Sequence, residues 1–199
     1  MTHIKFNPWI GDNYSEASFG KKVLVLGESH YDWDQDISID RLPTVTNEVI
    51  GEQLDGKYTK AFWTHIAVTF LNKLPTLNDK REFWHAISFY NFVQQSAGMG
   101  ARVRPSLEMF KASEPAFFEV LDSLKPEVVV VLGYELWRHL PKQANEDKAI
   151  DTASGPILTR LYSYVGGSSL ACSIKHPSSG FNGRDWHPRV MAVIRGTIS

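Results

Sequence analysis

The sequence predicts an α/β fold: three α/β/α layers around a mostly parallel central sheet, in a single domain spanning residues 1–199. Three observations predict it. Val23-Leu24-Val25-Leu26 is a continuous apolar run and Glu127–Leu132 holds another of four valines and a leucine, each closed by a glycine, as expected of strands buried on both faces. Segments with helical spacing of apolar residues lie between such runs. The closing run, Leu170–Lys175, is followed by one more amphipathic stretch, which completes a strand–helix alternation.

The elements follow in order. Lys22–Leu26 reads as the first strand, and residues 32–58, rich in Asp, Thr, Gly and Gln, as a long loop with some helix. Thr59–Leu74 carries Phe62, Trp63, Ile66, Phe70, Leu71 and Leu74 on one face and reads as a helix closed by Pro75. Asn78 or Asp79 caps a short helix ending at His85; Ile87–Val93 is a strand, and Gln94–Val103 a loop. Pro105 or Ser106 opens a long helix reaching Leu124, with Glu108 in its first turn and Pro115 as a point of breakage. After the valine-rich strand come a short helix, Tyr134–Leu140, a polar loop over 142–156, a strand over Ile157–Tyr164, the last strand and a final helix over Asp185–Ile198.

Composition narrows the function classes. With 43% hydrophobic and 12% aromatic residues, 199 residues bury a real core. No apolar run approaches the roughly 18–20 residues of a membrane-spanning helix. The N-terminus lacks the apolar stretch of a signal peptide, so no membrane partner and a cytoplasmic location are expected. The one cysteine, Cys172, excludes an intramolecular disulfide and a four-cysteine metal site; the seven histidines form no His-x-x-x-His pair, and no metal or cofactor is expected. A net charge of −1 leaves room only for a local basic patch.

Two polar turns carry the candidate chemistry. Gly27-Glu28-Ser29-His30-Tyr31 follows the first strand, where open α/β sheets place their ligands. Its bland reading is an ordinary turn. His176-Pro177-Ser178-Ser179-Gly180-Phe181-Asn182 follows the last strand, with His176 suited to donate to a developing anion. Between them, Asn91 sits among apolar neighbours, and its carboxamide suits either a backbone bond or the edge of an amide-like ligand such as a pyrimidine. Lys175, Arg184, His187 and Arg189, with Arg102 and Arg104, form a candidate phosphate-contacting face or a solvated basic one. A serine-hydrolase elbow needs Gly-x-Ser-x-Gly, and Tyr31 stands in place of the last glycine.

Taken together, these pieces resemble the uracil-DNA glycosylase superfamily over about residues 22–195. The matching stretches are the Gly27–Tyr31 turn, Phe89-Tyr90-Asn91-Phe92-Val93, Arg104-Pro105-Ser106-Leu107-Glu108, Leu124–Gly133 with its Pro-led valine strand, and His176-Pro177-Ser178 followed by Asn182. The resemblance implies a DNA base-excision glycosylase, a monomer hydrolysing the N-glycosidic bond of uracil or another deaminated base flipped out of single-stranded or duplex DNA. It implies catalytic roles for His176, Glu28 and Ser29, the last in the water-positioning place. It implies substrate contacts from Gly27, His30, Tyr31, Asn91, Ser178, Phe181 and Asn182, and nucleic-acid contacts from Lys175 and Arg184. Asn91 would read the base edge, an aromatic among Tyr31, Trp33 and Phe89 would stack on the base, and Phe181 would be a minor-groove wedge. The chain departs from the family at Ser29, where an acid or Asn is usual and Glu28 or Asp32 is the substitute. It departs also at His30, where a proline is usual, and in lacking the cluster cysteines of the thermophile-type branch. The alternatives are a non-catalytic nucleobase, nucleotide or nucleic-acid binding module on the same fold, and a small-molecule hydrolase using Ser29 with His30 or His176.

Overall fold

The computed structural model describes residues 2–31, 41–57, 60–98, 103–143, 146–178 and 180–196. Among them the strands are β1 (Trp9–Ile10), β2 (Val23–Gly27), β3 (Ser88–Asn91), β4 (Val128–Leu132), β5 (Lys148–Ile150), β6 (Ile157–Tyr164) and β7 (Gly167–Ile174). The helices are α1 (Val45–Leu54), α2 (Ala61–Leu71), α3 (Leu77–His85), α4 (Leu107–Leu124), α5 (Tyr134–His139) and α6 (Gly183–Arg195). One sheet holds the strands in the order β1-β3-β2-β4-β7-β6-β5. The fold is mixed α/β, and the sheet itself is mixed. β3, β2, β4 and β7 run parallel at its centre, while β1 on one edge and β6 and β5 on the other pair antiparallel. The expectation of a mostly parallel sheet therefore holds for the centre and is corrected at the edges. The two-residue turn Val165-Gly166, with Gly166 at φ 87°, makes β6–β7 a hairpin.

Every residue of β2 and β4 is buried, because helices cover both faces of the sheet. Val23, Val25, Val128, Val130 and Leu132 pack with Ile66 and Phe70 of α2, Phe83 and Trp84 of α3 and Val190 and Ile194 of α6. The alternate residues Leu24, Leu26, Val129 and Val131 pack with Phe110, Phe117 and Leu121 of α4 and Leu136 of α5. Pleating sends successive side chains to opposite faces, so two continuous strands feed two separate cores. The chain leaves β2 for β3 on one side and then places β4 on the other. The carboxyl ends of β2 and β4 therefore form the switch point at which open α/β sheets bind ligands.

Local chemistry sets the helix ends. α2 stops at Leu71, short of Leu74, because Asn72 adopts the left-handed conformation (φ 56°) and its N–H bonds the Val68 carbonyl; Leu74 lies outside, exposed. α3 is capped by Thr76, not by Asn78 or Asp79; Asp79 is the third helical residue of a capping box with Thr76. Ser106 caps α4, which runs through Pro115 without breaking, since its apolar face is buried along the length of the helix. β7 starts at Gly167, before the apolar stretch, and β5 lies in the segment expected to be a polar loop. Its Lys148 and Ala149 are exposed at the sheet's edge, so no apolar alternation marks them. β1 is two residues long and leaves no periodic trace. Asp32, Trp33, Arg102 and Ser179 lie outside the described residues, as do the ends of the expected helices at Thr59 and Ile198.

A buried cation ties the antiparallel edge to the rest. Arg160, 1% exposed on β6, donates from Nε to Asp147 Oδ1 (2.6 Å) and from Nη2 to Asp147 Oδ2 (3.0 Å). Its Nη1 donates to the Leu140 carbonyl and the Tyr162 hydroxyl, and its plane lies 4.6 Å from the Trp137 ring. The Trp137 indole N–H also donates to Asp147. The Arg160 bond holds the Asp147 carboxyl below its ordinary value. Breaking such a pair leaves a buried charge without its partner. Asp147→Asn is expected to destabilise the protein by about 2–3 kcal/mol near neutral pH, the low side of the range for buried pairs because Asp147 is partly exposed. A carboxylate depressed in the folded state contributes above its unfolded pKa and loses that contribution as pH falls through the folded value. The gap between wild type and Asp147→Asn in urea unfolding should therefore close in strong acid.

Candidate functional site

Four strand ends meet at the carboxyl edge of the sheet. β2 ends in Gly27 and passes into Glu28-Ser29-His30; β3 ends in Asn91; β4 passes through Gly133 into α5; β7 passes through Lys175 into His176. The parallel register pairs Gly27 with Asn91 and Leu132 with Ile174, which sets these exits side by side.

Gly27 and Asn91 are fitted to one another. A β-carbon on Gly27 would stand 2.2 Å from Asn91 Oδ1, so only glycine leaves room for the carboxamide. Asn91 is 6% exposed, and its Nδ2 lies 3.1 Å from His30 Nε2. His30 Nε2 is also 3.0 Å from the Thr46 hydroxyl on α1, and its ring packs 4.7 Å from Phe6. Burial pushes the His30 pKa down to about 4, so the ring is neutral at pH 7 and accepts at Nε2. Gln94 holds the same strand end. Its Nε2 donates to the Asn91 carbonyl, and its Oε1 accepts from the Lys5 and Phe6 amides.

His176 lies on the α2 side. Phe62 packs 5.5 Å from its ring, and the Ser178 N–H donates to Nδ1 (3.2 Å), which leaves the ring proton on Nε2. Gly133, at φ 113°, brings its α-carbon against the ring; a β-carbon there would stand 3.3 Å from His176 Cδ2. Burial lowers the His176 pKa, and the Arg104 charge lowers it further, so His176 too is neutral at pH 7.

Glu28 faces the α5 side, with its side chain 11% exposed and its carboxylate 3.6 Å from Arg104 Nη1. Burial raises the Glu28 pKa, Arg104 opposes that, Glu135 adds to it and His139 subtracts from it. Arg104 thus acts on both Glu28 and His176. The sequence marked it as one member of a basic face and as the start of the Arg104–Glu108 stretch, without a role in this site, and neither Thr46 nor Gln94 carried any local signal.

The remaining sequence candidates fall in different places. The Ser29 hydroxyl is buried and has no hydrogen-bond partner among the described residues. The described bonds of His30 go to Asn91 and Thr46, and that of His176 to Ser178, so neither ring is set as a base on Ser29. Tyr31 is half-buried at the exit of the turn. Phe89 is a core residue beneath Gly27. Phe181 is corrected as a wedge. It is 8% exposed, 5.9 Å from His65 and parallel to Trp186, because its ring completes the core beneath α6. Asn182 caps α6, accepting from the Arg184 N–H and donating to Asp185. Lys175 donates to the Gly180 carbonyl, closing the loop, while Arg184 and Ser178 are exposed. Cys172 is fully buried, and burial pushes its thiol up to about 12, so it takes no part in the chemistry.

No protein-family model matches the chain, and none of the curated proteins matches it. No helix among the described residues is long and apolar enough to cross a membrane.

Two outcomes follow from this geometry. Gly27→Ala is expected to displace Asn91 and cost about 1–3 kcal/mol, as overpacking of a close-packed site does; urea unfolding measures the loss, and the Asn91 side-chain amide resonance should shift with it. Arg104→Gln removes a positive charge that favours the ionised Glu28 and disfavours the protonated His176. Both titration midpoints should therefore move upward together, read by NMR of the side-chain carboxyl and imidazole.

Proposed function

We propose that the protein is an N-glycosidase that removes uracil or another deaminated base from DNA, on a fold of the uracil-DNA glycosylase kind. The observation that carries this reading is that a buried carboxyl (Glu28), a histidine whose Nδ1 accepts a backbone N–H (His176) and a buried carboxamide (Asn91) all follow or end strands at the same carboxyl edge of the sheet, with Arg104 acting on the first two. These three groups match what breaking such a bond requires. The departing base takes up negative charge, and a neutral imidazole donating from Nε2 stabilises that anion without first giving up a proton to solvent. The sugar develops positive charge, and an ionised Glu28 offsets it and accepts a proton from the attacking water. Asn91 reads the edge of the base, its Oδ1 accepting from a ring N–H while Nδ2 stays on His30. Glu28 takes the water-handling role in preference to Ser29, whose hydroxyl has no base beside it.

The same pocket without turnover would make the protein a nucleobase or nucleic-acid binding module, and one assay separates the two. Uracil release from single-stranded and mismatched duplex oligonucleotides should be measurable for the wild type. It should fall by about 10²–10³-fold in His176→Gln and in Glu28→Gln, with circular dichroism unchanged. No release of uracil, hypoxanthine or xanthine by folded wild-type protein would reject the glycosidase, and tight binding of the same oligonucleotides would then select the binding module.

A further inference from the structure

The Asn91 carboxamide has two ends of opposite sense, a donor and an acceptor, and the end that faces a ligand decides what the site can read. Its Nδ2 lies 3.1 Å from His30 Nε2, while its Oδ1 stands close against Gly27 and has no hydrogen-bond partner among the described residues. Asn91 is buried, so an acceptor left unmet there is costly, and a ligand N–H would relieve it. The orientation is set from behind. Nε2 accepts the Asn91 amide N–H only while it carries no proton of its own. The Thr46 hydroxyl, buried on α1 and with no other described partner, lies 3.0 Å from the same nitrogen and donates to it. Phe6 packs 4.7 Å from the imidazole and holds its plane. A proton on Nε2 would set donor against donor at Nδ2. The amide would then have to turn and present its NH₂ group in place of Oδ1. The sense of the Asn91 amide and the tautomer of His30 are therefore a single choice.

We propose that His30 and Thr46 are positioning residues that turn Asn91 acceptor-outward, and so select lactam bases, those with a ring N–H beside a carbonyl, over bases whose ring nitrogen carries a lone pair. The inference rests on the reading of this site as one that takes a nucleobase. Uracil differs from cytosine, and hypoxanthine from adenine, at just this edge, because each deaminated base gains a ring N–H where its parent has a lone pair. Cytosine or adenine would set that lone pair against Oδ1, acceptor against acceptor with no proton between them. Thymine and guanine carry the lactam edge too, so this pair does not exclude them. His30 thus acts on the ligand through Asn91 and not by contact, a different role from the substrate contact that the family resemblance implies. Thr46 acts one step further back, by keeping Nε2 supplied with donors and free of a proton.

The test uses the full chain, labelled for nitrogen NMR, with free uracil and free cytosine as probes, so that no bond need be cut. In the unliganded wild type the ring nitrogens of His30 should show Nε2 bare and the proton on Nδ1. Asn91→Asp puts a carboxylate oxygen where Nδ2 stood, and the His30 proton should move to Nε2, a change that mere packing of the two side chains would not produce. Uracil should shift the Asn91 side-chain amide of the wild type at concentrations about tenfold or more below those cytosine requires. That preference should be lost in His30→Leu, reduced in Thr46→Val and restored in Thr46→Ser, which keeps the hydroxyl. If His30→Leu does not fold, the wild-type tautomer and the two Thr46 variants decide. A wild-type His30 with its proton on Nε2, equal or no binding of the two bases by the wild type, or an undiminished preference for uracil in Thr46→Val or in folded His30→Leu would overturn the proposal. Its failure is distinct from failure of the glycosidase reading. Uracil release from oligonucleotides with a base preference that these variants do not move removes the positioning role alone. Selective base binding that they do move, without uracil release, leaves the positioning role and removes the reaction.

Discussion

The parallel register of β2 with β3 is the constraint on which the candidate site depends. It places Gly27 opposite Asn91, and the carboxamide occupies the space that any other residue at position 27 would fill. The pairing continues past the strand ends. The Phe92 N–H bonds the Gly27 carbonyl, the Val93 N–H the Glu28 carbonyl, and the Ala97 N–H the His30 carbonyl. The polar turn after β2 is therefore tied by three of its carbonyls to the segment that follows β3, and is not a free loop. That rigidity is what allows Asn91, His30 and Thr46 to hold a buried polar network in one arrangement, since each partner would cost more unpaired than it gains when bonded.

Electrostatics at the same edge follows from burial opposed by one cation. Burial disfavours charge on every group here, raising Glu28 and lowering His30 and His176. Arg104 pulls Glu28 back toward the ionised form while pushing His176 further toward neutrality. The two groups the proposed reaction needs in opposite states, an anionic base and a neutral donor, are thus biased by one guanidinium. Arg104 is 65% exposed, so its interaction is screened and modest in energy. It tunes the site without being part of the fold's stability. The structural cation is Arg160, whose partners lie on the far edge of the sheet.

The architecture was readable where a residue's neighbours in sequence are also its determinants. The valine run of β4, the apolar run of β2, the Ser106 cap and the hairpin-bound β6 carry their own local signals, and each formed as the pattern required. β1 and β5 were not readable, because an edge strand of two or three residues exists only through its partner. The site divides in the same way. Glu28, Asn91 and His176 stand next to strand ends, and a strand end is visible in sequence. Thr46, Gln94 and Arg104 act across the fold, on residues 16, 88–89 and 76 positions away; nothing local announces the first two, and the motif around Arg104 does not reveal that it acts on Glu28 and His176. Phe181 misled for the opposite reason. An aromatic in a Ser-Gly loop looks exposed, yet the N-terminus of α6 folds it back onto Trp186 and the core.

The closing loop shows how structural and functional demands share residues. Its lysine bonds its own backbone, its asparagine caps the helix that follows, its Pro177 carbonyl is held by His65, and its phenylalanine is core. With those groups committed, the loop can meet a ligand mainly through the His176 edge, Ser178 and the outward cations. The same preorganisation fixes the His176 tautomer, because Nδ1 accepts from the Ser178 amide before any substrate is present. Under the proposed reaction, His176 would then already carry its proton on the nitrogen that faces the departing base.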